Sequence, residues 1–147
     1  FDSVLADLYW IRAVQHYGRD RRSLTYEGRY RLLHPLIEVT TTLDPHFATA
    51  YQFGALFLAE PLPGGAGRLD LGLALLEKGL RADPHRWQYA QYLGFLHYWH
   101  GHDRAEAARQ IERAAAMPGA PIWLKPLAAA MFIEGGDREA ARLLLLQ

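Results

Sequence analysis

Three histidines clustered near the middle of the chain are the side chains best placed to do chemistry. They lie in the run Tyr98-Trp99-His100-Gly101-His102, with His97 just before it. His97 and His100 are three residues apart, which puts two imidazoles on one helix face, and His102 follows in the turn. Imidazole is a common ligand of zinc and copper, and Asp103 is the nearest further ligand. The same positions have a plain packing explanation. His100 and His102 fall at a helix C-terminus, where the dipole favours an imidazolium. The metal reading through His97, His100 and His102 is therefore the rival interpretation, and no resident metal or cofactor is expected.

Other chemistry finds less support. Arg19, Arg21, Arg22, Arg29 and Arg31 form a local basic patch, diluted by Asp20 and Glu27. The chain balances 16 basic against 16 acidic residues, so it lacks the field of a non-specific nucleic-acid binder, and no nucleic-acid partner is expected. Gly64-Gly65-Ala66-Gly67 has the composition of a phosphate loop but lacks the following Lys-Ser/Thr and a preceding strand. No nucleophile–base pair and no carboxylate pair in an apolar setting stands out, so the chain is not read as an enzyme. It contains no cysteine, which excludes disulfides and thiolate chemistry.

The segments that must carry these residues read as helices. Apolar positions at helical spacing predict helices over about 2–17, 26–43, 46–60, 69–82 and 85–100. A sixth is capped by Asp103 and ends before Pro118, a seventh covers 122–134, and an eighth is capped by Asp137. Gly18 is expected to stop the first helix, and 19–25 to form a charged connection. Pro35 is expected to kink or break the second near His34. Glu106, three residues after Asp103, suggests a capping box. No strand with period-two alternation is found. Short turns then force antiparallel neighbours, giving an all-α chain of four helix pairs over about 2–45, 46–84, 85–118 and 121–147 in a single domain.

The pairs repeat. Asp44-Pro45 closes one apolar helical stretch, Asp83-Pro84 closes another 39 residues later, and Met117-Pro118 follows 34 residues after that. A fixed period of this size is the mark of stacked helical hairpins. The third pair carries Leu93, Gly94 and His97, then Ala107, Ile111 and Ala114. The second carries Phe53, Gly54 and Phe57, then Gly72, Leu76, Gly79 and Pro84. Gly or Ala at such positions lets two helices approach while a larger neighbour fills the hole. Weaker versions are Leu33, Ile37, Thr40 and Pro45 in the first pair, and Ala128, Ala129, Phe132, Ala141 and Leu145 in the last.

On these residues the chain resembles the tetratricopeptide repeat (TPR) over nearly its whole length. The resemblance implies an α-solenoid with a right-handed superhelical course. It implies a non-enzymatic scaffold or assembly subunit, in which the first helix of each pair lines a concave groove. Mapped onto this sequence, the groove residues are Tyr51, Gln52, Gln88, Gln91, Tyr92, Phe95, Tyr98 and Trp99. Ala55 and Leu58, and Tyr9, Arg12 and His16 in the first pair, are further matching positions. Aromatics mixed with amides suit a peptide groove. The expected partner is a protein, either a peptide segment or neighbouring subunits. Insertions around 18–26 and 60–68 are second candidates for contact.

The bounds of the chain carry expectations of their own. It begins at Phe1 and ends in four leucines and Gln147, which reads as a piece of a longer protein. Four consecutive leucines cannot share one helical stripe, so some need cover. No run approaches the roughly 20 apolar residues of a membrane span. Neither signal peptide nor compartment is legible, leaving cytoplasm, periplasm or a membrane reached through a partner. The style of the helix pairs resembles bacterial repeat proteins.

Overall fold

The computed structural model describes residues 1–25 and 28–147. Among them there are eight α-helices and no strand. The helices are α1 (Asp2–Arg22), α2 (Leu33–Leu43), α3 (Ala48–Ala59), α4 (Leu69–Ala82), α5 (Trp87–Leu96), α6 (Arg104–Ala115), α7 (Leu124–Glu134) and α8 (Arg138–Leu145). A π turn, His97–Gly101, prolongs α5. The chain divides into two compact units, Phe1–Ala82 and Asp83–Gln147.

In the first unit α1 packs on α2, α2 on α3 and α3 on α4. Ala6 and Ala13 supply the buried face of α1, Leu33 and Ile37 that of α2, and Leu75 and Leu76 that of α4. Gly54 marks the closest approach: a Cβ there would sit 3.1 Å from Leu75 Cδ2 and 3.2 Å from Ile37. The α2 face also buries Thr40 and Thr41, whose hydroxyls donate to the carbonyls of Leu36 (2.8 Å) and Ile37 (3.0 Å). Lys78 fastens α4 to the end of α2. Its ammonium donates to Glu38 Oε2 (2.9 Å), Thr41 Oγ1 (2.9 Å) and Thr42 Oγ1 (3.1 Å), where the helix dipole also favours a cation.

Several boundaries differ from expectation. Gly18 does not stop α1, which runs on to Arg22. A single glycine costs a helix only about 1 kcal/mol, while Arg19, Arg21 and Arg22 gain from the C-terminal dipole. Arg22 Nε also donates to the Gly18 carbonyl at 3.0 Å. The connection therefore starts at Ser23. The beginning of the second predicted helix, Tyr26 and Glu27, lies outside the described residues. Residues 28–32 form turns, with Tyr30 at φ 63° and its N–H donating to Asp20 Oδ2 (2.8 Å). The helix begins only at Leu33, so Pro35 falls in the first turn, where no intrahelical donor is lost and no kink follows.

The second unit repeats the scheme. α5 packs on α6, α6 on α7 and α7 on α8. Its core joins Ala90, Ala107, Ile111, Ala128, Phe132 and Leu144. Gly94 is required here: an added Cβ would lie 2.6 Å from Ile111 Cδ1 and 3.1 Å from the Ala107 carbonyl oxygen. Both predicted caps form. Asp103 Oδ1 accepts from the Glu106 N–H (3.0 Å) and Asp137 Oδ1 from the Ala140 N–H (2.9 Å). The reciprocal half of the capping box does not form. The Glu106 carboxylate takes Arg109 and Gln110 (both 2.8 Å), and the Asp103 N–H donates to the His97 carbonyl (3.0 Å). Of the terminal leucines, Leu144 is buried and Leu143, Leu145 and Leu146 are exposed.

Candidate functional site

The candidate site is the outward face of α5 and the turn that ends it. Gln88, Gln91, Tyr92 and Phe95 recur at intervals of three and four residues, which aligns them along one side of the helix. The opposite side is the core, with Tyr89, Ala90, Leu93 and Leu96 buried. All four stripe residues are half-buried. Trp99 carries the stripe into the π turn: its ring lies 4.9 Å from Phe95, and it is 55% exposed. At the other end of α5, Asp83, His85, Arg86, Trp87, Gln88 and Pro118 line an open cleft of about 410 Å³. The surface is thus aromatic at one end and polar at the other.

The π turn sets what faces outward. It closes with the His102 N–H donating to the His97 carbonyl, and His102 adopts the left-handed conformation at φ 52°. Gly101, expected to stop this helix, lies inside the turn. Tyr98 points elsewhere than its groove assignment. Its hydroxyl donates to Glu134 Oε2 (2.9 Å), Arg104 Nη1 donates to the same oxygen (2.9 Å), and the Arg104 guanidinium lies 4.6 Å from the Tyr98 ring centroid. Tyr98 is a clasp between the end of α5 and the end of α7.

In the first unit the register shifts. Tyr51, expected on the groove, has no exposure, and its hydroxyl sits 3.5 Å from the Thr41 carbonyl oxygen. Ala55 and Leu58 are buried with it. The outer side of α3 is instead Gln52, Phe53 and Leu56, of which only Gln52 was anticipated. The spacing that ties Gln52 to Phe53 and Leu56 is the signal that identifies this face. Farther along the chain Tyr9 and His16 are half-buried and Arg12 exposed. Phe57 is stacked by Tyr17 at 3.9 Å and by Trp10 at 6.1 Å, which anchors α1 to α3.

The other candidates resolve differently. Among the described residues no three His, Asp or Glu side chains gather as a metal ion would require, so His97, His100 and His102 do not converge. The glycine-rich loop spends its amides on the chain itself. Ala66, Gly67 and Arg68 donate to the carbonyls of Phe57 (3.0 Å), Glu60 (2.8 Å) and Leu58 (2.7 Å), satisfying the end of α3. Tyr17 and Tyr30 hydroxyls donate to the Gly64 (2.9 Å) and Pro63 (2.5 Å) carbonyls, pinning the same loop from α1 and from the turn after it. Arginines of the basic patch are partly engaged: Arg19 with His16 (2.9 Å), Arg22 with Gly18, and Arg29 with the Ser23 carbonyl. No helix among the described residues is long and apolar enough to cross a membrane. Compared with protein-family models, curated proteins and solved structures, the chain matches none.

Proposed function

We propose that this chain is a TPR-like helical-repeat scaffold that works by binding a protein partner and carries no reaction of its own. The observation that carries the proposal is the stripe Gln88, Gln91, Tyr92, Phe95 and Trp99. Aromatic rings half out of the core supply contact area at low entropic cost, and amides beside them supply hydrogen bonds to a peptide backbone. Packing alone does not call for such a face, because the core of that unit is complete on the other side of α5. The hairpins of the solenoid reading present their first helices outward, and Gln52, Phe53 and Leu56 of α3 are the corresponding residues of the first unit. The partner is an extended or helical peptide segment with apolar side chains for the Tyr92–Trp99 end.

A peptide library displayed on phage and selected against the chain tests this. Selected peptides are expected to lose at least about tenfold in affinity, roughly 1.4 kcal/mol, against a Tyr92→Ala, Trp99→Ala double variant. The helical circular dichroism of that variant is expected to stay intact, since neither residue is buried. Peptides that bind both proteins equally would retire the α5 face as the site.

A further inference from the structure

Two aliphatic faces of the chain lack cover, and each has what the other needs. On α1, Val4, Leu8 and Ile11 recur at helical spacing on the side opposite the buried Ala6 and Ala13. All three are at least half exposed, Leu8 at 53%. A helix apolar on both sides calls for cover on both. Beside the stripe, Leu5, Leu8, Tyr9 and Arg12 frame a hollow of about 220 Å³. On the second unit, α7 and α8 leave an open cleft of about 480 Å³. Its floor is Ile133, Ala141, Leu145 and Leu146, and Arg138 and Arg142 stand at its edge.

The second unit itself shows what kind of occupant fits. Ala107 and Ile111, four residues apart on α6, are fully buried in the core that α7 joins. Ala141 and Leu145 repeat that spacing on α8, yet Leu145 is 57% exposed. The cleft is therefore shaped for one more helix with an aliphatic stripe. Charge selects among the helices with open faces. Arg138 makes no ion pair, and Arg142 only reaches Glu139 at 4.0 Å. The open faces of α3 and α5 carry amides and no acid. The α1 face has Asp7 between Val4 and Ile11, on the edge of the stripe.

We propose that α1 of one copy of this chain docks in the α7–α8 cleft of a second copy. Val4, Leu8 and Ile11 cover Ile133, Ala141 and Leu145, Asp7 meets Arg138 or Arg142, and an exposed leucine of α8 enters the hollow beside Leu8. Such a contact joins two different surfaces, so mass grows with concentration instead of stopping at a two-fold dimer. A single helix in a cleft is smaller than the standard interface of about 1,600 Å², which places the affinity in the micromolar range or weaker. The contact is independent of the peptide-binding reading.

Sedimentation velocity of the 147-residue chain over a wide concentration range decides the matter. The weight-average mass is expected to rise with concentration, and less so in high salt. Leu8→Glu and Leu145→Glu change exposed side chains and should each leave a folded monomer. Mixed in equal amounts they should give a one-to-one pair and nothing larger, since one retains a working cleft and the other a working α1. Asp7→Arg should weaken association, and adding Arg138→Asp and Arg142→Asp should restore it. The Tyr92→Ala, Trp99→Ala variant should associate like the parent. A monomer at every concentration would overturn the proposal. So would association that survives Leu8→Glu, which would mean cleft against cleft, or mixed variants that stay apart.

Discussion

Gly94 and Gly18 are the same residue type in opposite circumstances, and the difference is measurable. An alanine at 94 would force its Cβ to within 2.7 Å of two Ile111 side-chain carbons and 3.1 Å of a backbone oxygen. Gly94→Ala is therefore expected to destabilise the protein by about 1–3 kcal/mol, seen as a lower urea midpoint. At Gly18 nothing lies within 4 Å and the backbone is helical, so Gly18→Ala should stabilise by about 0.5–1 kcal/mol in the same assay. The clasp gives a third expectation: Tyr98→Phe should cost about 0.5–1.5 kcal/mol of stability and leave peptide affinity unchanged. Small residues such as Gly94 and Ala107 were legible in the sequence because their spacing states their purpose. Tyr51 was not. A tyrosine's type suits a core or a groove equally, and only the rotation of α3 about its axis, set by Ile37 and Leu75 against Gly54, decides between them.

At the scale of elements, the signals that lie within one turn of helix were readable and those depending on distant contacts were not. Asp103 and Asp137 announce their helices because an aspartate cap acts on amides two or three residues away. The end of α1 and the start of α2 depend instead on Asp20, which holds the Tyr30 N–H, and on the tyrosines that grip the loop after α3. Glu106 supplies a pH expectation. Its carboxyl is held below the ordinary carboxylate range, first by the hydrogen bond from Gln110 and then by Arg109, against the opposing effect of partial burial. The unfolded chain thus binds the proton more readily. The stabilisation is fully present above the unfolded pKa of about 4.3 and is lost as pH falls through the lower folded value. Urea titrations at neutral and acid pH should show a smaller acid loss for Glu106→Gln than for the parent protein.

At the scale of the whole molecule, the sequence repeat led to a run of helical hairpins, and eight helices with sequential packing are what the described residues form. The division after Ala82 was not legible, because Asp83-Pro84 has the same form as Asp44-Pro45, which lies inside the first unit. Each unit has its own buried residues, so residues 83–147 expressed alone are expected to retain helical circular dichroism and a cooperative thermal transition. Its melting point should be modest, since chains below roughly 70–80 residues bury little core. A gradual, non-cooperative melt would show that this unit depends on the rest of the chain.

The π turn at the end of α5 has an evolutionary corollary. One residue beyond the ordinary helical count turns whatever follows it by about 100°. In His97–Gly101 that surplus aims Trp99 outward while Tyr98 reaches Glu134. Deleting a single codon there would swap which aromatic the protein displays, with Asp103 still available to start α6. This surface can therefore change its preference by losing or gaining one amino acid, a quicker route than rebuilding the stripe by successive substitutions.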